Sequence, residues 1–175
     1  SLQTKRNISY FGDAIFRPNG YFIKHNQFLS HQPFMLHHKT PLFLHHRLSK
    51  ERNQNIYLKM DCHQPSGSFK IRGIGHLCTQ QAQNGTKGFV SSSGGNAGLA
   101  VAYSGKKLGL HTTIIVPSTT PEHVREKMRI LNARVLEHGT VWDESDIFAR
   151  DYAQQYNHSY IHPFDDPMIW TGHST

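Results

Sequence analysis

The chain has 175 residues, 37% hydrophobic and 18% charged, enough for one domain or a large part of one, and no stretch approaches the roughly 20 apolar residues a membrane-spanning helix needs. Its formal charge of +7 comes from scattered Lys and Arg; without runs, an RNA-binding signature or zinc-finger spacing, this reads as a solvated basic surface and excludes a nucleic-acid partner. Cys62 and Cys78 stand at no metal or redox spacing and read as reduced thiols of a cytosolic protein.

Fourteen histidines include the pairs His37-His38 and His45-His46. Adjacent residues on a strand point to opposite faces, so such pairs are poorly placed to chelate one ion, and no metal site is expected. No secretory leader is recognisable. The opening lacks Met and the last residues carry no terminating feature. The expectation is therefore a fragment, with Met35 near the true start and residues 1–34 irregular or extraneous.

In chain order, Ile56 to Met60 is a short strand by composition. From Phe69 to about Asn84, Ile71, Ile74, Leu77, Cys78 and Ala82 recur at three- and four-residue steps and predict a helix, stopped by Gly85. Gly88 to Ser91 is the next strand, followed by a helix from about Ala97 to Leu108 that ends at Gly109. His111 to Val116, dense in β-branched residues, is a third strand. Thr120-Pro121-Glu122 then opens a helix to about Leu131, with Thr120 expected as cap and Pro121 at the first helical position. Arg134 to Glu137 predicts a strand, Val141 to about Tyr156 a helix, and Ser159 to Ile161 a last strand. This alternation predicts an α/β fold, a parallel sheet with helices on both faces.

Two segments carry chemistry. In Pro65-Ser66-Gly67-Ser68-Phe69-Lys70 a polar turn delivers a lysine onto a helix start. Most such lysines are merely solvent-facing. Here the positive helix end and burial would both favour the neutral, nucleophilic amine. Ser91-Ser92-Ser93-Gly94-Gly95-Asn96-Ala97-Gly98 lies between a strand and a helix. Its glycines allow close approach and positive φ, and first-turn N–H groups of the helix welcome an anion. A flexible Gly/Ser loop is the competing reading, and neither dinucleotide nor P-loop spacing is present.

Taken together, PSGSFKIRG and SSSGGNAG resemble the serine/threonine dehydratase family of fold-type-II pyridoxal-phosphate (PLP) enzymes, in particular its L-serine dehydratase/L-threonine deaminase group. Thr40-Pro41-Leu42, Val116 to Pro121, Pro163 to Pro167 and Ile169-Trp170 extend the resemblance across about residues 35–175. It implies a tryptophan-synthase-β-like fold, with residues 35–175 as the N-terminal part of the catalytic region and a small α/β subdomain at roughly 66–163. It also implies a cytoplasmic homodimer in amino-acid metabolism and gluconeogenesis, performing β-elimination on L-serine, and on L-threonine as well.

The resemblance assigns roles residue by residue. Lys70 forms the Schiff base with PLP and later removes the substrate's α-proton, and Phe69 packs against the pyridine ring. Ser92, Ser93, Gly94, Gly95, Asn96 and Ala97 hold the substrate carboxylate. Asn96 also reaches the cofactor's phenolic oxygen, and Ser93 assists the departing hydroxyl. Gly94 stands where family members carry Ala or Gly. The glycine cradle for the PLP phosphate, the partner of the pyridine nitrogen and a monovalent-cation site are expected beyond residue 175, so the isolated chain is expected to be inactive. A threonine-synthase-like or cysteine-synthase-like PLP enzyme is the alternative within the fold. A non-catalytic binding fragment is the alternative outside it.

Overall fold

The computed structural model describes residues 35–175 and, upstream of them, two short strands, β1 (Tyr10–Phe11) and β2 (Ala14–Ile15), which pair antiparallel. Ser1–Pro33 and Phe34–Thr175 form two separate compact units. The expectation that residues 1–34 are irregular falls almost wholly outside the described residues.

In the second unit, β3 (Leu42–Leu44) and β4 (Tyr57–Lys59) pair antiparallel around α1 (His46–Arg52). The predicted strand at 56–60 therefore exists but stands outside the parallel sheet. All three of its residues are exposed, so it has no buried face that would draw it into the core. His45 and His46 do not lie on one strand, as the argument against chelation assumed. His45 caps α1, its Nδ1 accepting from the Leu48 N–H at 3.2 Å, and His46 is the first helical residue.

A 3-10 turn at Asp61–His63 leads to α2 (Lys70–Gln83). Then follow β5 (Gly88–Ser91), α3 (Asn96–Leu108), β6 (His111–Val116), α4 (Glu122–Ile130), β7 (Arg134–Glu137), α5 (Trp142–Gln155), β8 (Ser159–Tyr160) and α6 (Pro167–His173). The four strands β5 to β8 form one parallel sheet in the order β7-β6-β5-β8. Side chains alternate across it as strand geometry requires. Phe89, Ile114 and Val116 pack with α2, α3, α4 and α6, whereas Val90 and Ile115 pack with α5. Helices thus cover both faces, and the chain has the expected α/β fold.

The chain steps outward from β5 to β6 to β7, then crosses by α5 and returns to β8 on the far side of β5. This reversal opens a crevice at the carboxyl ends of β5 and β8, where open α/β sheets bind ligands.

One expected cap is corrected. Pro121, at φ −59° and ψ 141°, is the N-cap of α4 and no side chain caps it. Thr120 is buried, and its carbonyl accepts from Arg125 Nε at 2.8 Å. The Arg125 contact holds Thr120 ahead of the helix, so the first helical residue is Glu122.

A buried polar cluster fixes the approach to α2. Arg72 grips Asp61 with two bonds, Nε to Oδ2 at 2.7 Å and Nη2 to Oδ1 at 2.8 Å. Thr40 donates to the same carboxylate, and Gln64 exchanges bonds of 2.9 and 2.8 Å with the backbone of His38. The guanidinium bond holds the Asp61 carboxyl far below the usual carboxylate range. Both side chains are largely buried, 7% and 15% exposed, so removing one partner strands the other. Asp61→Asn is expected to cost about 3 kcal/mol. Because the folded-state value is depressed, the pair's contribution is complete above about pH 4 and is lost as pH falls through the folded value. Urea denaturation is expected to show the gap between wild type and variant narrowing below about pH 4; a gap independent of pH would contradict this.

Candidate functional site

Three segments converge on the crevice. β5 runs into the Ser92–Gly95 loop and then α3, and β8 runs into Ile161–Phe164. The turn 64–69 brings Lys70 in as the first residue of α2. With Trp142 at the start of α5 they line an open cleft of about 270 Å³, whose walls are Lys70, Ser93, Asn96, Ala97, Trp142, Pro163 and Phe164.

Lys70 Nζ donates to the carbonyl of Pro163 at 3.0 Å and lies 5.5 Å from the centre of the Phe69 ring. No carboxylate among the described residues forms an ion pair with it. Burial without a counter-charge disfavours the ammonium and lowers its pKa. The neighbouring His173 accepts the Gly73 N–H at Nδ1 (3.2 Å). Burial and then the nearby positive charge of Lys70 lower its pKa as well. Two hydroxyls of the turn, Ser66 Oγ and Ser68 Oγ, are buried with no partner among the described residues, at a cost of about 1–3 kcal/mol each.

The opposite wall is the start of α3, a helix of 13 residues capped by Gly95 with no side-chain acceptor. Its first-turn N–H groups lack intrahelical partners and are available to an anion. Ser93 Oγ accepts from the Gly95 N–H at 3.3 Å, which leaves its own proton free. The glycines here serve differently from expectation. None of Gly94, Gly95 and Gly98 has positive φ, whereas Gly67, in the turn before Lys70, does, at +79°. A side chain at Gly98 would overlap the Ser93 carbonyl, and one at Gly94 would overlap Thr120 Oγ1. Close approach between segments, and not positive φ, is what glycine permits at these two positions.

Of the expected site residues, the structure brings Lys70, Ser93, Asn96 and Ala97 together in the cleft. Phe69, Ser92, Gly94 and Gly95 flank it. Phe69 is 47% exposed and tilts against His173 at 5.1 Å between ring centres. The Ser92 hydroxyl is fully buried and donates to Asp146 Oδ1 at 2.6 Å. Sequence reasoning did not single out Trp142, Pro163 or Phe164 as site residues. Trp142 packs with Phe164 and His162 at 5.9 and 6.1 Å, an aromatic wall assembled from segments about 20 residues apart. Pro163, just after the last strand and at the head of the Pro163–Pro167 run, was the available signal.

Residues 34–175 match the family described as pyridoxal-phosphate dependent enzyme. The chain is 49% identical to an L-serine dehydratase of Dictyostelium discoideum, covering 74% of this chain and 39% of that protein. It is also 49% identical to the human L-serine dehydratase/L-threonine deaminase, covering 80% and 43%. Among solved structures, a fungal L-serine ammonia-lyase from Rhizomucor miehei superposes with a TM-score of 0.76 at 39% identity, over 81% of this chain and 45% of that one. A processed threonine deaminase from Solanum lycopersicum superposes at 0.72 with 29% identity, over 78% and 38%. The chain thus spans about two fifths of the length of the curated relatives it matches.

The two glycine environments make a paired prediction. Gly98→Ala must displace the Ser93 carbonyl and is expected to destabilise by about 1–3 kcal/mol. At Gly95, nothing lies within 4 Å of an added Cβ, so Gly95→Ala is expected to stay within about 0.5 kcal/mol. Equal shifts of the urea midpoint for the two variants would contradict the packing argument.

Proposed function

The chain belongs to the pyridoxal-phosphate dependent enzyme family, and on that premise we propose that the full-length protein deaminates L-serine, and L-threonine as a second substrate, with PLP attached covalently at Lys70. The observation that carries the proposal is the desolvated amine of Lys70. It has no carboxylate partner among the described residues and faces one cleft with the start of α3.

The residues present fit PLP. Lys70 is an amine whose pKa burial lowers, and the first turn of α3 offers unpaired N–H groups to an anion across the cleft from it. Phe69 offers a flat apolar face beside the amine. When bound, PLP supplies an electron-accepting ring that stabilises negative charge at a substrate α-carbon.

The chain's own groups do the rest. N–H groups of Ser92–Ala97 and the Asn96 side chain hold the substrate carboxylate, so the α C–H bond is oriented toward Lys70. Asn96 would also hold the cofactor's phenolic oxygen. Lys70 Nζ, released when the substrate amine takes its place, accepts the α-proton. The pair left at the α-carbon forms the Cα=Cβ bond as the β C–O bond breaks. The departing oxygen takes the Ser93 Oγ proton, which the proton held on Lys70 then replaces. Loss of water followed by hydrolysis converts L-serine into pyruvate and ammonia.

The reading extends to a cytoplasmic homodimer. The family resemblance supports the dimer. Both Cys62 and Cys78 are free thiols, the second buried with its pKa pushed up to about 12, which supports a reducing compartment. No helix among the described residues is long and apolar enough to cross a membrane.

A coupled assay of pyruvate and ammonia from L-serine tests the reaction in the full-length protein. Equimolar products are expected, with Lys70→Ala lowering turnover by at least about a thousand-fold. Turnover that survives this change would refute the reading, as would a full-length protein that makes cysteine or threonine instead.

A further inference from the structure

We propose that Asp146, on the face of the sheet opposite α3, is a positioning residue that holds the two walls of the cleft in register. The role in turnover rests on the function proposed above, but the clamp itself is a structural claim.

The argument begins with how briefly β5 and β8 are paired. Their ladder aligns only Phe89 with Ser159 and Val90 with Tyr160. It is prolonged by the Ile161 N–H donating to the Val90 carbonyl at 2.7 Å and by Ser91 Oγ donating to the Ile161 carbonyl at 2.8 Å. Past that point the segments diverge to opposite walls. No backbone hydrogen bond joins residues 92–95 to 162–164 among the described residues.

Asp146 supplies a link from below. It belongs to α5, the helix that packs on Val90 and Ile115. Its Oδ1 accepts from the Ser92 hydroxyl at 2.6 Å and also from the Tyr160 hydroxyl, and those two hydroxyls lie 3.1 Å apart. Its Oδ2 accepts from Arg150 Nε at 2.8 Å, and the Arg150 guanidinium lies over the Tyr160 ring at 4.4 Å. Ser92 is the residue before Ser93, and Tyr160 is three before Pro163. One carboxylate therefore fixes the base of the anion loop and the base of the strand end whose carbonyl receives Lys70.

The chemistry of the cluster suits a fixed clamp. Asp146 is only 8% exposed. Burial alone would raise its pKa, but the bonds from Ser92, Tyr160 and Arg150 outweigh that and leave it below the ordinary value. Burial, reinforced by the Asp146 carboxylate, raises the Tyr160 hydroxyl well above its usual range, so it remains a donor. A buried charge with three donors is a poor source of net stability compared with apolar packing. Orientation is what it supplies.

Loosening the clamp moves the carboxylate-binding loop relative to Lys70. The clamp lies behind the groups that touch the carboxylate, so loosening it weakens carboxylate binding first and disturbs the α C–H alignment less, and the loss appears in KM more than in kcat. In the full-length protein, Asp146→Asn is expected to raise KM for L-serine about ten-fold while kcat falls less than about three-fold. Hydrogen exchange is expected to rise together at residues 92–95 and 161–164, with α2 and α3 unchanged. Unchanged KM, with exchange either unaltered or raised throughout, would overturn the proposal.

If Asp146→Asn fails to fold, Tyr160→Phe decides. It keeps the Ser92 and Arg150 bonds and is expected to raise KM about three-fold with faster exchange at 161–164; no change in either would overturn the clamp. A wild-type protein that leaves L-serine intact refutes the functional reading alone, and the exchange pattern then judges the clamp.

Discussion

Desolvation of the Lys70 amine without a compensating carboxylate is the constraint around which this chain is organised. A lysine at a helix start would ordinarily reach water. Here its nitrogen is turned inward to a backbone carbonyl at 3.0 Å, and burial without a counter-charge lowers its pKa. Holding it there takes structure on every side. Behind it, Arg72, Asp61, Thr40 and Gln64 lock α2 and residues 38–40 to the turn at 61–64. In front of it, the Pro163 carbonyl is carried by the end of β8.

The sheet topology makes the second contact possible. Because β8 is inserted beside β5 after the chain has already passed through β6 and β7, the loops after β5 and β8 face each other at the carboxyl edge. One carries an uncapped helix start with an affinity for anions, and the other carries an acceptor for the amine. In the proposed reaction the helix start takes the substrate carboxylate at one end of the cleft, while Lys70, held by the facing loop, works beside it. Neither loop would have this use in a sheet that grew in one direction only.

What could be read in the sequence was what depends on near neighbours. Lys70 and the 91–98 loop are visible because turn, glycines and helix start are contiguous, and the buried strands show in runs such as Ile114, Ile115 and Val116. What depends on strand order was hidden. Trp142, Pro163 and Phe164 join the cleft only because α5 crosses the sheet and β8 returns beside β5. The placement of β4 failed for a related reason, since a short apolar run does not say which sheet receives it. At Gly94 and Gly98 the residue type was informative and the expected cause was wrong: neighbours crowd these positions, and φ is not positive. The Ser92 hydroxyl was expected beside the substrate carboxylate, and only the fold shows that Asp146 already occupies it.

The central claim concerns one nitrogen, and chemical trapping addresses it directly. The full-length protein would be loaded with PLP, reduced with borohydride, digested and mapped by mass spectrometry. The account predicts a stable pyridoxyl group on Lys70 and on no other lysine. A label on any other residue, or none at all, would contradict it.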